Sequence, residues 1–521
     1  MIKKAKAFSP YIIMFGFTVV LSMSTHFFIK STDFGHDSGI FAYVGFAVTQ
    51  GKALYTEAWD NKGPLLYLIE ALGILIHYRY GIFLLEFVSL FSSVFLLYKT
   101  AALFVTKGVS VVCALLSMML LTATLEGGNL AEEYALPFTI LGFYYIAKFL
   151  KNNFMLKKYE MMLVGMCISA VFLLRMNILA LLGCAVLGVI IILIINKQYK
   201  VLGNVFLFAF LGFALFIAPF VIYLLSKGVL AACIDTAYFG ILGSFSDITM
   251  KERKRNVVGM ILQMAPSGAL LLIITFVLCF VCYSLKCKMK NKTALDQLGW
   301  IAFFGLLATL LANSLSGAPH MHYFMSFIPA LIIPAVWIAK QIEEFINRNC
   351  SEKCRKNGLN TVVCSVLLVA VSFSCILYFF MDARKSVLNS FSSQMATTEE
   401  KVVDYIVNNT ETTDTIQVFG GASAVSSYYG ARRLAASKYF YYSNGRFSEE
   451  AKTEFAQTIC ADLEENPPKL IMFDSNYHDK ELTKQEDFLL HCGDPDAWNA
   501  FLAENYTEQE TDFGFIVYLR K

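Results

Sequence analysis

Long apolar stretches recur along most of this chain, and they restrict its fold more than any other feature. They lie near residues 11–29, 82–106, 109–125, 134–150, 159–174, 176–196, 202–226, 256–285, 297–315, 322–341 and 360–381. A helix needs about 20 apolar residues to cross a bilayer. The region 159–196 is too long for one crossing, and we divide it at Arg175 and Asn177. The pattern predicts a polytopic α-helical membrane protein with about 11 transmembrane helices.

The composition excludes a water-soluble fold for this part of the chain. Hydrophobic residues make up 57% of the 521 residues and charged residues only 16%, against about 25% charged in soluble domains. The net charge of +3 is small for this length. We therefore expect a lipid bilayer around the protein. The small net charge argues neither for nor against a polyanionic partner, and we predict no nucleic acid partner.

The distribution of charge predicts how the chain crosses the membrane. The segment Pro64–Tyr78 is apolar but short and carries Glu70, so we interpret it as an interfacial helix in the first outer loop. With that choice, the inner loops hold the lysine and arginine clusters near 99–107, 148–158, 197–200, 286–292 and 340–356, as the positive-inside rule requires. The N-terminus is then cytoplasmic, and residues that follow the last span are extracytoplasmic.

Beyond about residue 383 the sequence changes character. Strand-like runs at Thr415–Gly420, Lys469–Asp474 and Phe513–Arg520 alternate with helical patterns at Thr398–Asn408 and Glu449–Glu465. Such alternation predicts a small α/β domain, so we divide the chain into a membrane domain, 1–382, and an extracytoplasmic domain, 383–521. Two cysteines of the second domain, Cys460 and Cys492, either form a disulfide or are two buried thiols.

Polar residues concentrate in the first outer loop, from Ser31 to about Tyr80. An acid just beyond the first span, such as Asp33 or Asp37, has two interpretations. It can act as a general base or bind a cation at the membrane surface, or it can simply cap a helix.

Three consecutive motifs of this loop carry a resemblance to a known family. They are Asp-Ser-Gly-Ile-Phe-Ala-Tyr at 37–43, Gly-Lys-Ala-Leu-Tyr at 51–55 and Trp-Asp-Asn-Lys-Gly-Pro-Leu-Leu-Tyr at 59–67. In this order they resemble the first loop of GT-C superfamily glycosyltransferases, above all the branch of protein O-mannosyltransferases and lipid A aminoarabinose transferases. The resemblance covers residues 10–345. It implies inverting transfer of a sugar from a polyprenyl-phosphate carrier.

The resemblance also implies catalytic acids. Asp37 matches the first acid of the family's loop, and Asp33 is a second candidate. Ser38 stands where the family often has Glu, so the resemblance does not extend to a paired-acid mechanism or to a metal held by such a pair. Glu132 and Glu133 resemble the family's second acidic site, but acids also favour the start of a helix for electrostatic reasons alone.

Basic and aromatic residues resemble the family's donor-phosphate site. Arg175 matches an arginine at the outer end of a span, although a snorkelling interface residue would look the same. His322 and Tyr323 match a late His-Tyr element, which an aromatic belt would also explain. Lys62 belongs to the polar turn of the first loop. The outer run of Lys251, Arg253, Lys254 and Arg255 is either an anion site or an ordinary membrane-flanking charge cluster.

The sequence thus predicts a membrane glycosyltransferase that uses no cofactor and no metal. Its partners would be a polyprenyl-phosphate-sugar donor and a cell-envelope glycan, glycolipid or protein acceptor. A transporter or flippase of a lipid-linked sugar and a non-enzymatic membrane scaffold remain as alternatives.

Overall fold

The computed structural model describes residues 2–28, 34–240, 249–265, 268–286, 293–315, 320–349, 377, 381, 397–442, 449–475, 478–479 and 482–521. The predicted domain boundary at 382/383 lies outside these ranges, as does the predicted span 360–381 except for residues 377 and 381. Contacts between Cα atoms divide the chain into two compact units. The first comprises residues 1–25, 85–221 and 248–390, and the second comprises 26–84, 222–247 and 391–521.

Helices dominate the chain before residue 350. In order they are α1 (Ile2–Ser22), α2 (His36–Thr49), α3 (Pro64–Ile76), α4 (Tyr80–Ala101), α5 (Lys107–Met118), α6 (Leu121–Thr124), α7 (Ala131–Lys151), α8 (Lys158–Leu174), α9 (Leu179–Ile195), α10 (Tyr199–Ser226), α11 (Leu230–Ile234), α12 (Met250–Met264), α13 (Ala269–Lys286), α14 (Ala294–Ser314) and α15 (Ile328–Asn349). Short 3-10 helices at Met176–Ile178 and Met321–Phe327 precede α9 and α15, and a π-helical turn, Asp235–Phe239, follows α11.

Six helical segments among the described residues are long and apolar enough to cross a membrane. They are Tyr80–Ala101, Lys107–Thr124, Met176–Ile195, Tyr199–Ser226, Ala294–Ser314 and Met321–Glu344, and four shorter apolar helices accompany them. The predicted helical membrane architecture is therefore confirmed. The helix expected at Pro64–Tyr78 is present as the 13-residue α3, and its place at the membrane surface stays a prediction.

The six apolar segments differ strongly in how far other parts of the protein cover them. Within its most apolar window, Met321–Glu344 is 94% buried, whereas Tyr199–Ser226 is only 6% buried. An apolar helix whose side chains protein mostly leaves unburied is stable only when lipid covers it. Helix α7 packs against α8, α9, α14 and α15.

Two helix breaks test the predicted boundaries. The division at Arg175 is confirmed, because α8 ends at Leu174 and the chain resumes helical structure at Met176. The single span predicted at 256–285 is wrong: α12 ends at Met264 and α13 begins at Ala269. The sequence between them includes Pro266, which has no N–H to continue a helix, and Gly268 adopts a φ of +76°.

The second unit contains the small α/β domain that the sequence predicts. Its helices are α16 (Thr398–Asn409), α17 (Ala422–Ala431), α18 (Glu449–Glu465), α19 (Lys484–His491) and α20 (Pro495–Asn505). Its strands are β1 (Thr415–Phe419), β2 (Leu434–Ala435), β3 (Leu470–Asp474), β4 (His478–Asp479), β5 (Leu482–Thr483), β6 (Tyr506–Glu510) and β7 (Phe515–Arg520).

Five of these strands form one mixed sheet in the order β2-β1-β3-β7-β6. Strand β1 is parallel to β2 and β3, and β7 is antiparallel to β3 and β6. The apolar core includes Phe419 stacked on Phe473 at 4.4 Å between ring centroids, and the buried Trp498. Cys460 and Cys492 are both buried free thiols.

Candidate active site

Arg175 is held between an acid and an aromatic ring. It follows α8 in an extended conformation, with φ −164°, and its side chain is only 14% exposed. Its Nη1 donates to Oε1 of Glu132. Its guanidinium carbon lies 4.6 Å from the ring centroid of Tyr323, within cation–π distance. The ion pair and the ring together fix both the position and the plane of this buried positive charge.

Glu132 and Glu133 occupy the first turn of α7, where the helix dipole favours acids. Both are buried, at 3% and 0% exposed. Oε2 of Glu133 accepts the backbone N–H of Asn129 at 2.8 Å. The structure therefore assigns the two acids different surroundings: Glu132 pairs with Arg175, and Glu133 fixes the loop that precedes its own helix. Their predicted catalytic roles stay predictions.

The loop before α7 has an uncommon backbone. Glu126, Gly127, Gly128 and Asn129 all have positive φ angles, from +46° to +88°. A Cβ atom at Gly128 would lie 2.3 Å from Oε1 of the buried Glu86 and 2.9 Å from Cγ2 of Thr25, so a side chain there would force these neighbours to shift. Asn129 is stabilised by its bond to Glu133 and by the Tyr134 hydroxyl, which donates to its Oδ1 at 2.8 Å.

This loop presents Glu126 to the predicted His-Tyr element. Oε2 of Glu126 lies 2.5 Å from Nδ1 of His322. Burial raises the pKa of Glu126, but the hydrogen bonds and charges of His322 and His320 outweigh it, and the net shift is downward. The ring of His322 contacts that of Tyr323 edge-on at 4.6 Å. The cluster therefore runs without interruption from Glu126 through His322, Tyr323 and Arg175 to Glu132.

Asn313, near the end of α14, forms hydrogen bonds to the segment that carries Tyr323. It is 2% exposed, and its Nδ2 donates to the carbonyl oxygen of Tyr323 at 2.9 Å and to Oγ of Ser326 at 3.0 Å. Sequence reasoning selected neither Asn313 nor Glu126 as a site residue. The sequence signal that would have indicated Asn313 is a polar amide residue near the end of an apolar span.

Asp37 lies in the second unit, in the first turn of α2. Its side chain is 38% exposed, and its Oδ1 lies 3.2 Å from Nδ1 of His36. This carboxylate is therefore accessible from solvent, and its predicted catalytic role stays a prediction. The other loop acid in the prediction, Asp33, lies outside the described residues.

Lys62 and Asp60 structure the polar turn of the first loop. Nζ of Lys62 donates to Oδ1 of Asn61 at 2.7 Å and lies 5.5 Å from the ring centroid of Phe41. Asp60 is 2% exposed and accepts hydrogen bonds from the hydroxyls of Tyr67 at 2.6 Å and Tyr441 at 2.9 Å. Burial, followed by the charge of Asp60, raises the pKa of Tyr441 well above its usual value, so Tyr441 remains the donor.

The basic run occupies the first two turns of α12. Lys251, Lys254 and Arg255 are exposed, and Arg253 is half-buried. Thr249 caps this helix by accepting the N–H of Glu252. Participation of this run in a phosphate site stays a prediction.

The sequence matches one family model over most of its length. Residues 2–394 match the model of the competence-induced Ccs4 N-terminal domain. The chain belongs to this Ccs4 family. No curated protein sequence matches it significantly.

Solved structures similar to this Ccs4 family member share its fold at low sequence identity. ArnT from Cupriavidus metallidurans bound to undecaprenyl phosphate has a TM-score of 0.59 and 12% identity, over 98% of this chain and 96% of that one. The oligosaccharyltransferase AglB from Archaeoglobus fulgidus, in complex with an inhibitory peptide and a dolichol-phosphate, has a TM-score of 0.54 and 14% identity, over 100% of this chain and 74% of that one. The GT-C fold expected from the first-loop motifs is confirmed.

The Ccs4 family member also contains an apolar cavity at the other end of α7. It has a volume of about 110 Å³ and lies between α7, α8, α9 and α10, with Tyr145, Phe149 and Met161 among its lining residues. Tyr145 is 13 positions beyond Glu132 on the same helix, which corresponds to about 20 Å along the helix axis. This cavity suits hydrocarbon and is remote from the polar cluster.

Proposed function

We propose that this protein is a membrane glycosyltransferase. It takes a sugar from a polyprenyl-phosphate-linked donor and transfers it, with inversion, to an acceptor hydroxyl at the outer face of the membrane. The observation that carries the proposal is Arg175, a mostly buried guanidinium oriented by Glu132 and Tyr323 in a GT-C fold. Burying a charge is costly. Helices that only anchor a protein in the membrane therefore do not need a buried arginine that is oriented by two partners.

The leaving group explains why the site needs a fixed arginine. When the bond between the anomeric carbon and the phosphate oxygen breaks, its electron pair remains on the phosphate and negative charge grows there. A guanidinium stabilises this charge with planar N–H donors that match phosphate geometry. Because Arg175 is already oriented, little reorganisation accompanies the reaction. The proposed phosphate site also includes His322, Tyr323, Lys251, Arg253, Lys254 and Arg255, and Lys62 stays a separate predicted phosphate ligand.

The acceptor side needs a base. The acceptor oxygen forms a bond to the anomeric carbon on the face opposite the phosphate, and its proton passes to a carboxylate. We assign this role to Asp37, with Glu133 and Asp33 as alternatives. A partly exposed acid can reach a hydroxyl that arrives from water. The phosphate already carries charge, so its departure requires no acid.

The similar structures support the class of donor. ArnT is bound to undecaprenyl phosphate and AglB to a dolichol-phosphate, and both are long isoprenoid phosphates. A chain with the same fold and a fixed arginine is suited to the same class of lipid. The acceptor would be a cell-envelope glycan, glycolipid or protein, and the C-terminal domain would lie outside the cell with the N-terminus inside.

Release of the lipid phosphate tests the proposal without knowledge of the acceptor. Purified protein in proteoliposomes is given a panel of undecaprenyl-phosphate monosaccharides, and free undecaprenyl phosphate is measured with and without envelope extract. We expect turnover with at least one donor and no dependence on a membrane gradient. The Asp37→Asn variant should lose at least about 100-fold in kcat, in the range of removing a general base.

Glu57→Gln is the matched control. Glu57 is an acid of the same loop, exposed and paired with Lys52 at 3.1 Å, and its variant should keep the wild-type rate. Movement of intact donor across the bilayer without cleavage would establish the transporter instead. Wild-type activity in Asp37→Asn would refute the base assignment.

A further inference from the structure

The helix that carries Asp37 is packed directly on the C-terminal domain. Gly39 of α2 lies against α17, and a Cβ atom at Gly39 would be 3.0 Å from Oγ and 3.3 Å from the backbone nitrogen of Ser426. Two helices approach this closely only where one of them has no side chain. A displacement of α17 would therefore displace the first turn of α2.

The hydroxyl of Ser426 joins the two backbone groups just before that turn. The N–H of Phe34 donates to Oγ of Ser426 at 3.2 Å, and this hydroxyl donates to the carbonyl oxygen of Gly35 at 3.3 Å. Ser426 is completely buried, so water does not compete for these bonds. Gly35 has a φ of +73° and also accepts the N–H of Gly39 at 3.1 Å. One serine thus fixes the backbone where α2 begins.

Aromatic packing supports the same segment. The ring of Phe34 stacks on Phe27 at 5.0 Å and meets Tyr429 of α17 edge-on at 5.1 Å. Phe34 is only 2% exposed. The residues before Asp37 are therefore held by both polar and apolar contacts from one helix of the C-terminal domain.

A second part of the C-terminal domain contacts His36, the residue beside Asp37. The ring of His36, whose Nδ1 lies 3.2 Å from Asp37, meets the ring of Tyr441 edge-on at 6.4 Å. Tyr441 is fixed in turn by its bond to the buried Asp60. Residues both before and after Asp37 therefore contact the C-terminal domain.

We propose that the C-terminal domain is a structural part of the catalytic centre, and that Ser426 is a positioning residue for Asp37. This inference rests on the proposed function, in which Asp37 is the base. A base must lie about 2.6–3.2 Å from the proton that it accepts, and a misplacement of about 1 Å can cost about 100-fold in rate. A domain that only captured acceptors would need no bonds to the backbone at 34–35.

Ser426→Ala and Ser427→Ala form a matched pair that tests this role. Both serines are completely buried on α17, but the hydroxyl of Ser427 donates to the carbonyl oxygen of Ala424 in its own helix, at 2.6 Å. We expect Ser426→Ala to lower kcat for donor turnover about 10- to 100-fold, with an unchanged KM for the donor. Ser427→Ala should stay within about twofold of wild type, since its bond is internal to the helix.

Hydrogen–deuterium exchange of the intact protein gives a readout that does not depend on turnover. Peptides covering residues 34–39 should exchange faster in Ser426→Ala than in wild type, and those of Ser427→Ala should not. Gly39→Ala is a second variant, which adds a methyl group where α2 meets Ser426, and it should lower kcat in the same way.

The outcomes separate the two proposals. Equal kcat values for the two serine variants, or unchanged exchange at 34–39 in Ser426→Ala, would overturn the positioning role while wild-type turnover upheld the proposed function. Absence of turnover in the wild type would overturn the proposed function itself and the catalytic part of this inference with it.

Discussion

The guanidinium carbon of Arg175 lies 4.6 Å from the ring centroid of Tyr323. Replacement of Tyr323 by Leu should remove this cation–π contact, which is worth about 0.5–2 kcal/mol, and raise the KM for the donor about 2- to 30-fold. Tyr323→Phe keeps the ring and should stay near wild type. Steady-state kinetics of undecaprenyl-phosphate release measure both. Equal KM values for the Leu and Phe variants would show that the ring does not orient Arg175.

Turnover should depend both on the planar guanidinium of Arg175 and on its ion-pair partner Glu132. Arg175→Lys keeps the charge but not the planar donors, and we expect a loss of about 100-fold or more in kcat, as for removal of a transition-state donor. Glu132→Gln keeps an acceptor oxygen and should lose less. Because the two side chains form one ion pair, the double variant should lose less than the product of the single effects. Multiplicative losses would contradict a shared role.

The pair of Glu126 and His322 predicts a loss of stability in acid. Glu126 has a pKa below its ordinary value of 4.5 in the folded protein. Its contribution to stability is therefore complete above that ordinary value and is lost as the pH falls through the lowered, folded value. Between pH 6 and pH 3, the melting temperature should fall more steeply for wild type than for Glu126→Gln. Parallel curves of melting temperature against pH for the two proteins would exclude Glu126 as the source of the acid instability.

Replacement of Gly128 should destabilise the protein for a steric reason. Alanine at this position would combine a φ of +79° with a Cβ atom 2.3 Å from Oε1 of Glu86. We expect Gly128→Ala to lower the free energy of unfolding by about 1–3 kcal/mol, visible as a lower melting temperature in detergent. Gly108→Ala is the control, because a Cβ atom there meets nothing within 4 Å. A normal melting temperature for Gly128→Ala would indicate that the loop before α7 adapts.

The sequence predicted the helical membrane architecture from the length of its apolar stretches, and the break at Arg175 from the cost of placing charge in lipid. It also predicted three strands of the C-terminal sheet, each of which has an apolar, buried pattern. It missed β6, whose residues Thr507–Glu510 are exposed. An edge strand paired on one side needs no apolar alternation, so its sequence reads as a loop.

The candidate site was only partly accessible to sequence reasoning. Arg175, Glu132, His322 and Tyr323 carried family-like motifs, and the structure brings them into one cluster. Ser426 carried no signal, because a serine in a short apolar helix has the same local pattern whether its hydroxyl bonds inside the helix, as Ser427 does, or to a distant segment. Only the three-dimensional pairing distinguishes the two.

The bond between Phe34 and Ser426 connects residues 392 positions apart. During synthesis at about 5–20 residues per second, Phe34 leaves the ribosome roughly 20–80 seconds before Ser426. The segment around Asp37 therefore gains this contact only after the residues around Ser426 have been made and folded. Nascent chains that have not reached Ser426 lack the hydrogen bonds that hold the backbone at Phe34 and Gly35, so under the proposed function they cannot yet position Asp37.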